Sequence, residues 1–559
     1  MPQITINGKT FDFKPGQMIL DVANANGVAI PQYCYHPGLS IVASCRICLA
    51  ECWAPNPRNN NKLETMGKLL PTCQTACSDG MVVYTDSPKA IQNQKSVMEY
   101  LLINHPLDCP VCDQAGECSL QDYSYEYGRG VSRFEETKVK QPKKDLGPHV
   151  YLYSDRCIMC TRCVRFTREV SGTSELMVEG RGNTEQIDVF PGIALDNELS
   201  ANVIDLCPVG ALLDKDFLFT QRVWFLKSTP SIDGITASGD NISIEHNDGK
   251  VYRLKPRTNF DVNKWWISDE IRYGWKFIHA ENRLKAPTHQ KFGRRSECDF
   301  ARAYAELIEG SRTALAGGKR LALVVSPMLA CEEAYLLARV ALKIDRKAVF
   351  AVGPIPRHGS DKAFPGGYTV YAEKAPNARG VRRVLESISA VSGGGPVLTF
   401  DEISAWAKKG PSGDLGAMLL TGNYPSDWVT DDFASAVTSN PSLFTAIIDT
   451  LPNKITSAAS IVIPGATWAE KAGTFENAKG RLQAFEQALK AGEGARSEGQ
   501  IARDLLAVLA GVSTGERYNA ANTRREMAGE FPALSMFETD VHHPAAEIKQ
   551  EPEVATVEL

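Results

Sequence analysis

The distribution of cysteine constrains this 559-residue chain more than any other feature. Thirteen of its fifteen cysteines lie before residue 208. The total is odd, and Met1 leads directly into a strand pattern rather than into a signal peptide. A disulfide framework is therefore a poor interpretation. Thiols gathered in little more than one third of a large chain favour metal ligation there, with an ordinary apolar core in the remainder.

The overall composition is that of a globular protein without a pronounced charge. Apolar residues make up 43% of the chain, charged residues 23%, and the formal net charge is -5. This balance argues against nucleic acid or an anionic membrane surface as the main partner. No apolar run approaches the ~18 residues that cross a bilayer. We expect membrane contact only through other proteins, and a chain that is cytosolic or a processed organellar form.

Local patterns predict an α+β and α/β multidomain protein. Strand and helix signals at the N-terminus indicate a small ferredoxin-like fold. From about residue 300, apolar runs at 321–325, 349–352, 417–420 and 461–463 alternate with amphipathic helices, as in a mainly parallel sheet. The predicted regions are 1–80 (ferredoxin-like), 81–145 (helix and loop), 146–220 (a second cysteine-rich unit), 221–285 (short strands), 286–520 (α/β) and 521–559 (a disordered tail).

The first cysteine set contains a C-x2-C pair, Cys45 and Cys48, with Cys34 eleven residues before it and Cys73 twenty-five residues after it. Four thiolates suit a [2Fe–2S] cluster, in which each iron takes two sulfurs. The long first spacing departs from the plant-type C-x4-C-x2-C pattern. A structural zinc site is therefore an open alternative on spacing alone. Cys52 and Cys77 are left over, and we interpret both as small packing residues.

The second set has the pattern H-x3-C-x2-C-x5-C. Its three thiols, Cys109, Cys112 and Cys118, are too close together in sequence to be explained as core residues. A cubane cluster needs a fourth ligand, and His105 is the nearest candidate. A neutral imidazole in place of an anionic thiolate would change the charge of the cluster and shift its potential. A zinc site with three cysteines and one histidine is the alternative.

The third set is the most specific of the three. Cys157, Cys160 and Cys163 form C-x2-C-x2-C, and Cys207 is followed by Pro208. This is the bacterial ferredoxin signature with its last Cys-Pro displaced along the chain. No second complete triplet follows, so Cys207 most simply completes this set as the fourth ligand of a [4Fe–4S] cluster.

All three sets, in this order, resemble the large iron–sulfur subunit family of respiratory complex I, the NADH–quinone oxidoreductase. Three strings carry the closest likeness: HPLDCPVCDQ at 105–114, NVIDLCPVGAL at 202–212 and WISD at 266–269. The resemblance is strong over residues 1–285 and weaker to about residue 515. It implies an electron-conducting subunit of a respiratory translocase, with NADH oxidised on a flavin-bearing partner.

The resemblance implies a ligand role for all twelve residues of the three sets. It implies one [2Fe–2S] cluster and two [4Fe–4S] clusters, with His105 as a ligand of the first [4Fe–4S] cluster. It implies partners in the peripheral arm of complex I, namely the flavin subunit and the downstream iron–sulfur subunits. It also implies a peripheral location on the cytoplasmic face of a bacterial inner membrane, or on the matrix side in an organelle. The chain itself would carry electrons and perform no bond chemistry.

One departure from the family pattern concerns a fourth cluster that some bacterial relatives carry. Its ligands are spaced C-x2-C-x3-C-x27-C. In this sequence the corresponding positions hold Asp233, Thr236, Asp240 and Ser268. The spacing is kept but no thiol remains, so we predict that this [4Fe–4S] site is absent.

The C-terminal half resembles a degenerate molybdopterin-oxidoreductase domain through its segments 375–380, 421–425 and 473–481. Only Cys298 and Cys331 remain there as thiols, and Cys331 begins an amphipathic helix pattern. We therefore predict a scaffold without molybdopterin. The alternatives are a molybdenum enzyme such as a formate dehydrogenase, a diaphorase subunit of an NAD-reducing hydrogenase, and a zinc scaffold without redox function.

Overall fold

The computed structural model describes residues 1–492 and 494–544 and divides into two compact units. The first unit contains Met1–Leu226 and Ala363–Tyr368, and the second contains Lys227–Lys362 and the chain from Thr369 onward. None of the helices in the described ranges combines the length and apolar character needed to span a bilayer.

The first unit begins with a ferredoxin-like sheet whose hairpin and helix match the sequence prediction. Asn7 and Gly8 both have positive φ angles, 47° and 78°, which suit the tight turn of the first hairpin. The elements are β1 (Gln3–Ile6), β2 (Lys9–Asp12), α1 (Ile19–Ala25), β3 (Leu49–Asn56), β4 (Lys62–Thr65), β5 (Leu70–Pro71) and β6 (Met81–Tyr84). The strand order is β2-β1-β6-β3-β4, with β5 paired to β3.

Four helices and two small sheets, one of two strands and one of three, complete the first unit. Ser87 caps the first of these helices through its side chain, and Pro88 occupies the first helical position, where a missing N–H costs nothing. The elements are α2 (Pro88–Ile103), α3 (Ser119–Tyr127), β7 (Lys143–Asp145), β8 (Val150–Tyr153), α4 (Arg162–Glu169), β9 (Leu176–Glu179), β10 (Gln186–Val189), α5 (Asn202–Leu206) and β11 (Leu212–Asp214).

The second unit opens with an antiparallel meander and continues as an α/β domain. Its larger sheet has the order β16 (Arg294–Glu297), β15 (Thr288–Lys291), β23 (Ile461–Pro464), β22 (Phe444–Asp449), β21 (Leu415–Thr421), β17 (Arg320–Val325) and β18 (Val349–Val352). The five strands from β23 to β18 are parallel. Four of these five are the predicted strands. They read as continuous apolar runs because both faces of a parallel sheet are buried.

The strands of the second unit and of the segment around residue 363 are β12 (Lys227–Ile232), β13 (Asn241–Asn247), β14 (Lys250–Pro256), β15 (Thr288–Lys291), β16 (Arg294–Glu297), β17 (Arg320–Val325), β18 (Val349–Val352), β19 (Lys362–Ala363), β20 (Thr369–Val370), β21 (Leu415–Thr421), β22 (Phe444–Asp449), β23 (Ile461–Pro464), β24 (Gly473–Glu476) and β25 (Leu482–Phe485). The helices of the second unit are α6 (Asp269–Tyr273), α7 (Phe300–Ala314), α8 (Cys331–Ile344), α9 (Ala378–Ser392), α10 (Phe400–Ala407), α11 (Asp431–Thr438), α12 (Glu498–Ala510), α13 (Ala520–Glu530) and α14 (Met536–Thr539).

The prediction of a disordered tail over 521–559 is wrong for its first half. Helices α13 and α14 lie in this segment, and their apolar side chains are buried in the core of the α/β domain. Met527 lies on α13, Phe531 and Leu534 lie in the turn that follows it, and Phe537 lies on α14; all four are buried. The Pro/Glu-rich composition belongs only to the last residues, and 545–559 lie outside the described part of the chain.

Candidate metal centres

The first ligand set forms two pairs of sulfur atoms in the ferredoxin-like domain. Cys34 Sγ lies 3.4 Å from Cys45 Sγ, and Cys48 Sγ lies 3.6 Å from Cys73 Sγ. Two thiolates on one tetrahedral metal, with metal–sulfur bonds of about 2.3 Å, are roughly 3.7 Å apart. Two such pairs suit the two irons of a [2Fe–2S] cluster, in which each iron takes two sulfurs.

Within each pair, the pKa of one thiol is lowered and the pKa of the other is raised. A hydrogen bond with Cys45 is the main cause that lowers the pKa of Cys34 to about 5, and the same bond raises the pKa of Cys45. The pair of Cys48 and Cys73 repeats this arrangement, with the pKa of Cys48 lowered to about 6 and that of Cys73 raised. Metal centres bind thiolates, so binding would release the remaining protons. Each pair is therefore suited to a cation that replaces its protons.

The third ligand set surrounds a single cavity, which is lined by all four of its thiols: Cys157, Cys160, Cys163 and Cys207. Aliphatic side chains form much of the remaining wall, among them Leu152, Ile187 and Leu212. Burial raises the pKa of Cys157 to about 12 and that of Cys207 to about 11. Thiolates in this dry site need a cationic partner, and four thiolates around one cavity fit a [4Fe–4S] cluster.

The ligand loops contain residues in left-handed conformations that only glycine adopts readily. Ala43, two residues before Cys45, and Arg46, directly after it, have φ angles of 49° and 57°, and Met159 and Thr161 flank Cys160 with φ angles of 51° and 58°. Each costs a non-glycine residue about 1–2 kcal/mol. The stability of the fold maintains these loops in shapes that bring the sulfurs together.

The second set places three thiols around one loop. Cys109 begins the single turn Cys109–Val111, Cys112 follows it, and Cys118 precedes α3. Cys112 and Cys118 are buried, whereas Cys109 is exposed. Burial is the main cause that raises the pKa of Cys118, and the charges of Cys112 and Cys109 add to the increase. The three thiols are therefore close enough to interact electrostatically.

His105 lies two residues beyond the end of α2, on a segment that residues 138 and 139 hold in place. Lys138 Nζ donates to Ile103 O at 2.8 Å, and Val139 N donates to Asn104 Oδ1 at 3.1 Å. Burial is the main cause that lowers the pKa of His105 to about 4. The imidazole is thus neutral near pH 7, which is the form that binds a metal. Its role as the fourth ligand remains a prediction.

Two arginines support the second set, and sequence reasoning did not identify them. Arg156 Nη2 donates to Asp108 Oδ2 at 2.8 Å, and its side chain is only 3% exposed. Because Arg156 directly precedes Cys157, it links the loops of the second and third sets. Arg222 Nη1 donates to Cys112 O at 2.8 Å. The only signal in the sequence was the position of Arg156 beside a ligand cysteine.

Gly210, three residues after Cys207, also belongs to the second site. A Cβ atom at Gly210 would lie 2.2 Å from Cys112 Sγ and 3.1 Å from Gln114 Cβ. No larger residue fits there without displacing the sulfur. Gly210 therefore leaves room for a thiol of the second set, although the neighbouring Cys207 is a predicted ligand of the third set.

The positions at which we predict a missing fourth cluster form a buried, hydrogen-bonded turn. Asp233 Oδ2 accepts hydrogen bonds from Thr236 Oγ1 at 2.5 Å and from Ser238 Oγ at 3.0 Å. Ser268 caps α6, with its hydroxyl accepting from Ile271 N at 3.4 Å. All four predicted positions are buried: Asp233, Thr236, Asp240 and Ser268. A set of short polar side chains that bond within the protein supports the prediction that this cluster is absent.

The two cysteines of the second unit are far apart in the chain and differ in environment. Cys331 begins α8, as its sequence pattern predicted, and is fully buried with its Sγ 3.5 Å from Asn377 Oδ1. Cys298 is partly buried just before α7. Across residues 1–492 and 494–544, which include the three ligand sets, no three His, Cys, Asp or Glu side chains stand close enough together to hold a single metal ion. The ligands of an iron–sulfur cluster are instead divided among several irons.

Five family models match the chain in succession, and they confirm the predicted fold classes. Their descriptions are 2Fe-2S iron-sulfur cluster binding domain (residues 2–88), NADH-ubiquinone oxidoreductase-G iron-sulfur binding region (94–133), NADH-quinone oxidoreductase subunit 3, ferredoxin-like domain (147–213), NADH-ubiquinone oxidoreductase NDSU1/NuoG-like, 4Fe-4S domain (226–276) and Molybdopterin oxidoreductase (365–508). The fourth of these describes a 4Fe-4S domain, although the four ligand positions of this chain hold no thiol.

Curated relatives carry related names. The NADH-ubiquinone oxidoreductase 78 kDa subunit of Neurospora crassa is 41% identical over 56% of this chain and 40% of its own length. The 75 kDa subunit of Reclinomonas americana is 36% identical over 64% and 50%, and an NADH-quinone oxidoreductase subunit of Rickettsia felis is 35% identical over 62% and 49%. The chain thus spans half or less of the length of these relatives. A chain in a crystal structure of an NAD+-reducing [NiFe]-hydrogenase is 28% identical, with a TM-score of 0.35, over 40% of this chain and 91% of that one.

Proposed function

Because this chain is a relative of the large iron–sulfur subunits of NADH–quinone oxidoreductase, we propose that it conducts electrons within such a complex, from a flavin subunit toward quinone. Bound iron–sulfur clusters supply one-electron transfer without bond chemistry. The observation that carries the proposal is the grouping of all twelve predicted ligands, in three sets, within one compact unit.

The contacts between the sets support an electron path that differs from their order in the chain. Arg156 links the loops of the second and third sets through Asp108. Burial is the main cause that raises the pKa of Cys160, and the charge of Cys34 adds to this increase. Thiols of the first and third sets are therefore close enough to interact electrostatically. We therefore propose that the third site lies between the other two, with the first and second sites as the two ends of the path.

The residues around the sites set the conditions for electron transfer. Buried aliphatic walls keep water from the third site, and buried arginines supply positive charge beside anionic sulfur. We propose that electrons enter from a flavin subunit and leave to further iron–sulfur subunits of the peripheral arm. That assignment puts the chain on the cytoplasmic face of a bacterial inner membrane, or on the matrix side in an organelle.

We propose that the α/β domain of the second unit is a scaffold without molybdopterin. The two thiols of the unit support this interpretation, because Cys331 is buried at a helix start and Cys298 lies on a different segment. Molybdenum centres in such enzymes often take a thiolate or a related ligand from the protein, and neither cysteine stands in one of the loops that resemble the molybdopterin superfamily.

Metal analysis of anaerobically purified protein should find about ten irons per chain, two in a [2Fe–2S] cluster and four in each of two [4Fe–4S] clusters. It should find neither molybdenum nor tungsten, and formate should not reduce the clusters. A content near fourteen irons, with a fourth reducible cluster, would contradict the interpretation of Asp233, Thr236, Asp240 and Ser268. Stoichiometric molybdenum would exclude the scaffold.

The proposed function itself can be tested by interrupting the path in the assembled complex. In Cys163→Ala, NADH oxidation by an artificial acceptor that takes electrons at the flavin should continue, while NADH–quinone activity should fall to background. The matched control is Cys77→Ala, which removes a thiol outside the three sets and should leave both activities intact. Full quinone reduction by the Cys163→Ala complex, with its third cluster missing, would refute the proposal.

A further inference from the structure

Helix α4 carries the ligand Cys163 between two arginines whose side chains reach the first ligand set. Arg165 Nη2 donates to Cys34 O at 2.6 Å and to Cys160 O at 3.2 Å. One guanidinium therefore contacts the backbone of a ligand residue from each of two different sites. Arg165 Nη1 also donates to Ser40 O, farther along the loop that holds Cys34.

Arg162 makes the same kind of link one turn earlier on α4. Its Nη2 donates to Tyr35 O at 2.5 Å, and its Nη1 donates to Leu206 O at 3.3 Å. Tyr35 directly follows Cys34, and Leu206 directly precedes Cys207. We call Arg162 and Arg165 the guanidinium bridge, because together they connect the chain around Cys34 with both halves of the third ligand set.

Arg165 is buried and Arg162 is partly buried, and within the described residues no hydrogen bond joins either guanidinium to a carboxylate. Arg165 is 3% exposed, and the hydrogen bonds of both guanidiniums go to backbone carbonyl oxygens. The nearest acid on the helix, Glu169, bonds instead to Ser40 N at 2.8 Å and to Ser40 Oγ at 2.6 Å. Carbonyl dipoles solvate a cation without cancelling its charge. The charge of Glu169 interacts with that of Arg165 and offsets part of it, but both guanidinium cations lie between the backbones of the first and third sites.

We propose that the guanidinium bridge is the positioning and potential-setting element of the electron transfer between the first and third sites. Arriving charge makes each site more anionic, and a buried cation nearby stabilises the reduced form more than the oxidised form. The step balances as one electron lost by one cluster and one gained by the other, with no proton moved. Five hydrogen bonds from rigid, planar groups fix the separation of the two sites. This inference rests on the proposed function.

The test compares variants of the full chain, purified anaerobically, by iron content, EPR redox titration and magnetic coupling between the two reduced clusters. In Arg165→Met, both midpoint potentials should shift to lower values, and the coupling should weaken as the separation loosens. Arg165→Lys keeps the charge but not the planar fork, so its potentials should stay closer to wild type while the coupling still weakens. Arg168→Met is the matched control on the same helix, since Arg168 is 63% exposed and should change neither quantity.

Wild-type potentials and wild-type coupling in a fully loaded Arg165→Met chain would overturn the inference. If that variant does not retain its iron, Arg162→Met provides the same test, because only two hydrogen bonds are lost. Unchanged potentials and coupling in a loaded Arg162→Met chain would then be decisive against the bridge. A wild-type chain that shows no EPR signal from either cluster would instead refute the proposed function on which the bridge depends.

Discussion

Replacing Lys471 by methionine is expected to lower the free energy of unfolding of the second unit by about 3–5 kcal/mol, the cost of breaking a buried ion pair. Lys471 Nζ lies 2.9 Å from Glu333 Oε2 and 2.5 Å from Glu498 Oε2. All three side chains are at most 1% exposed. Without the ammonium group, two carboxyl groups would remain buried beside each other with no cation between them. Burial already raises the pKa of Glu498, and loss of Lys471 would raise this pKa further. Denaturant unfolding of the variant should show the loss as a lower midpoint.

A control and a rescue variant make this result specific. Lys408 pairs with Asp432 at 3.1 Å on the surface, so Lys408→Met should change stability by no more than about 0.5 kcal/mol. Combining Lys471→Met with Glu333→Gln and Glu498→Gln removes the stranded charges and should recover most of the lost stability. Equal stability of Lys471→Met and Lys408→Met would show that water or rearrangement compensates the buried carboxylates.

The parts of the fold that sequence predicted are those with a local signal. Four strands of the parallel sheet were identified because each reads as a short apolar run, which a strand buried on both faces requires. The buried group of Lys471, Glu333 and Glu498 has no such signal. Its members are far apart in sequence, and charged residues are normally expected at the surface. Glu333 lies on α8, Glu498 begins α12 and Lys471 follows the turn Trp468–Glu470, so the group forms only when these three segments meet in the folded chain.

The segment 521–559 shows a different limit of prediction from sequence. The polar composition at the end of the chain predicts disorder over the whole of 521–559, although Met527, Phe531 and Leu534 are apolar and are buried in the folded chain. The prediction of disorder rests on the average composition of the segment and not on the positions of its apolar residues. The physical reason is that a few apolar residues on one face can anchor a helix whose remaining positions are polar.

The candidate sites divide in the same way. Ligand identity was predicted because thiols that bind one centre cluster within a few residues, as Cys157, Cys160 and Cys163 do. The guanidinium bridge was not predicted, because its hydrogen bonds join residues more than one hundred positions apart. Spacing in sequence therefore indicates what binds a cluster, whereas the potential and position of that cluster depend on distant groups that only the folded chain brings near.

His105 is the ligand whose replacement should have the most informative effect on the second cluster. His105→Ala should leave one iron without a protein ligand, so oxidation should convert the cluster to a three-iron form and release about one iron per chain. The backbone around position 105 is held by Lys138 and Val139, and Pro106 restricts its conformation, so we expect the segment to keep its place when the imidazole is removed. EPR spectra and iron content after mild oxidation measure this loss.

His105→Cys, unlike His105→Ala, should keep a complete [4Fe–4S] cluster, but the charge of that cluster should change. A thiolate adds one negative charge where the imidazole was neutral, so the cluster should be harder to reduce and its midpoint potential should fall. His358 is exposed in the second unit, and His358→Ala serves as the control in which spectra and potential stay as in the wild type. If both His105 variants also kept the wild-type spectra, potential and iron, His105 would be structural. Another group would then complete the cluster, and the charge of that group, rather than a neutral imidazole, would set the potential at this end of the electron path.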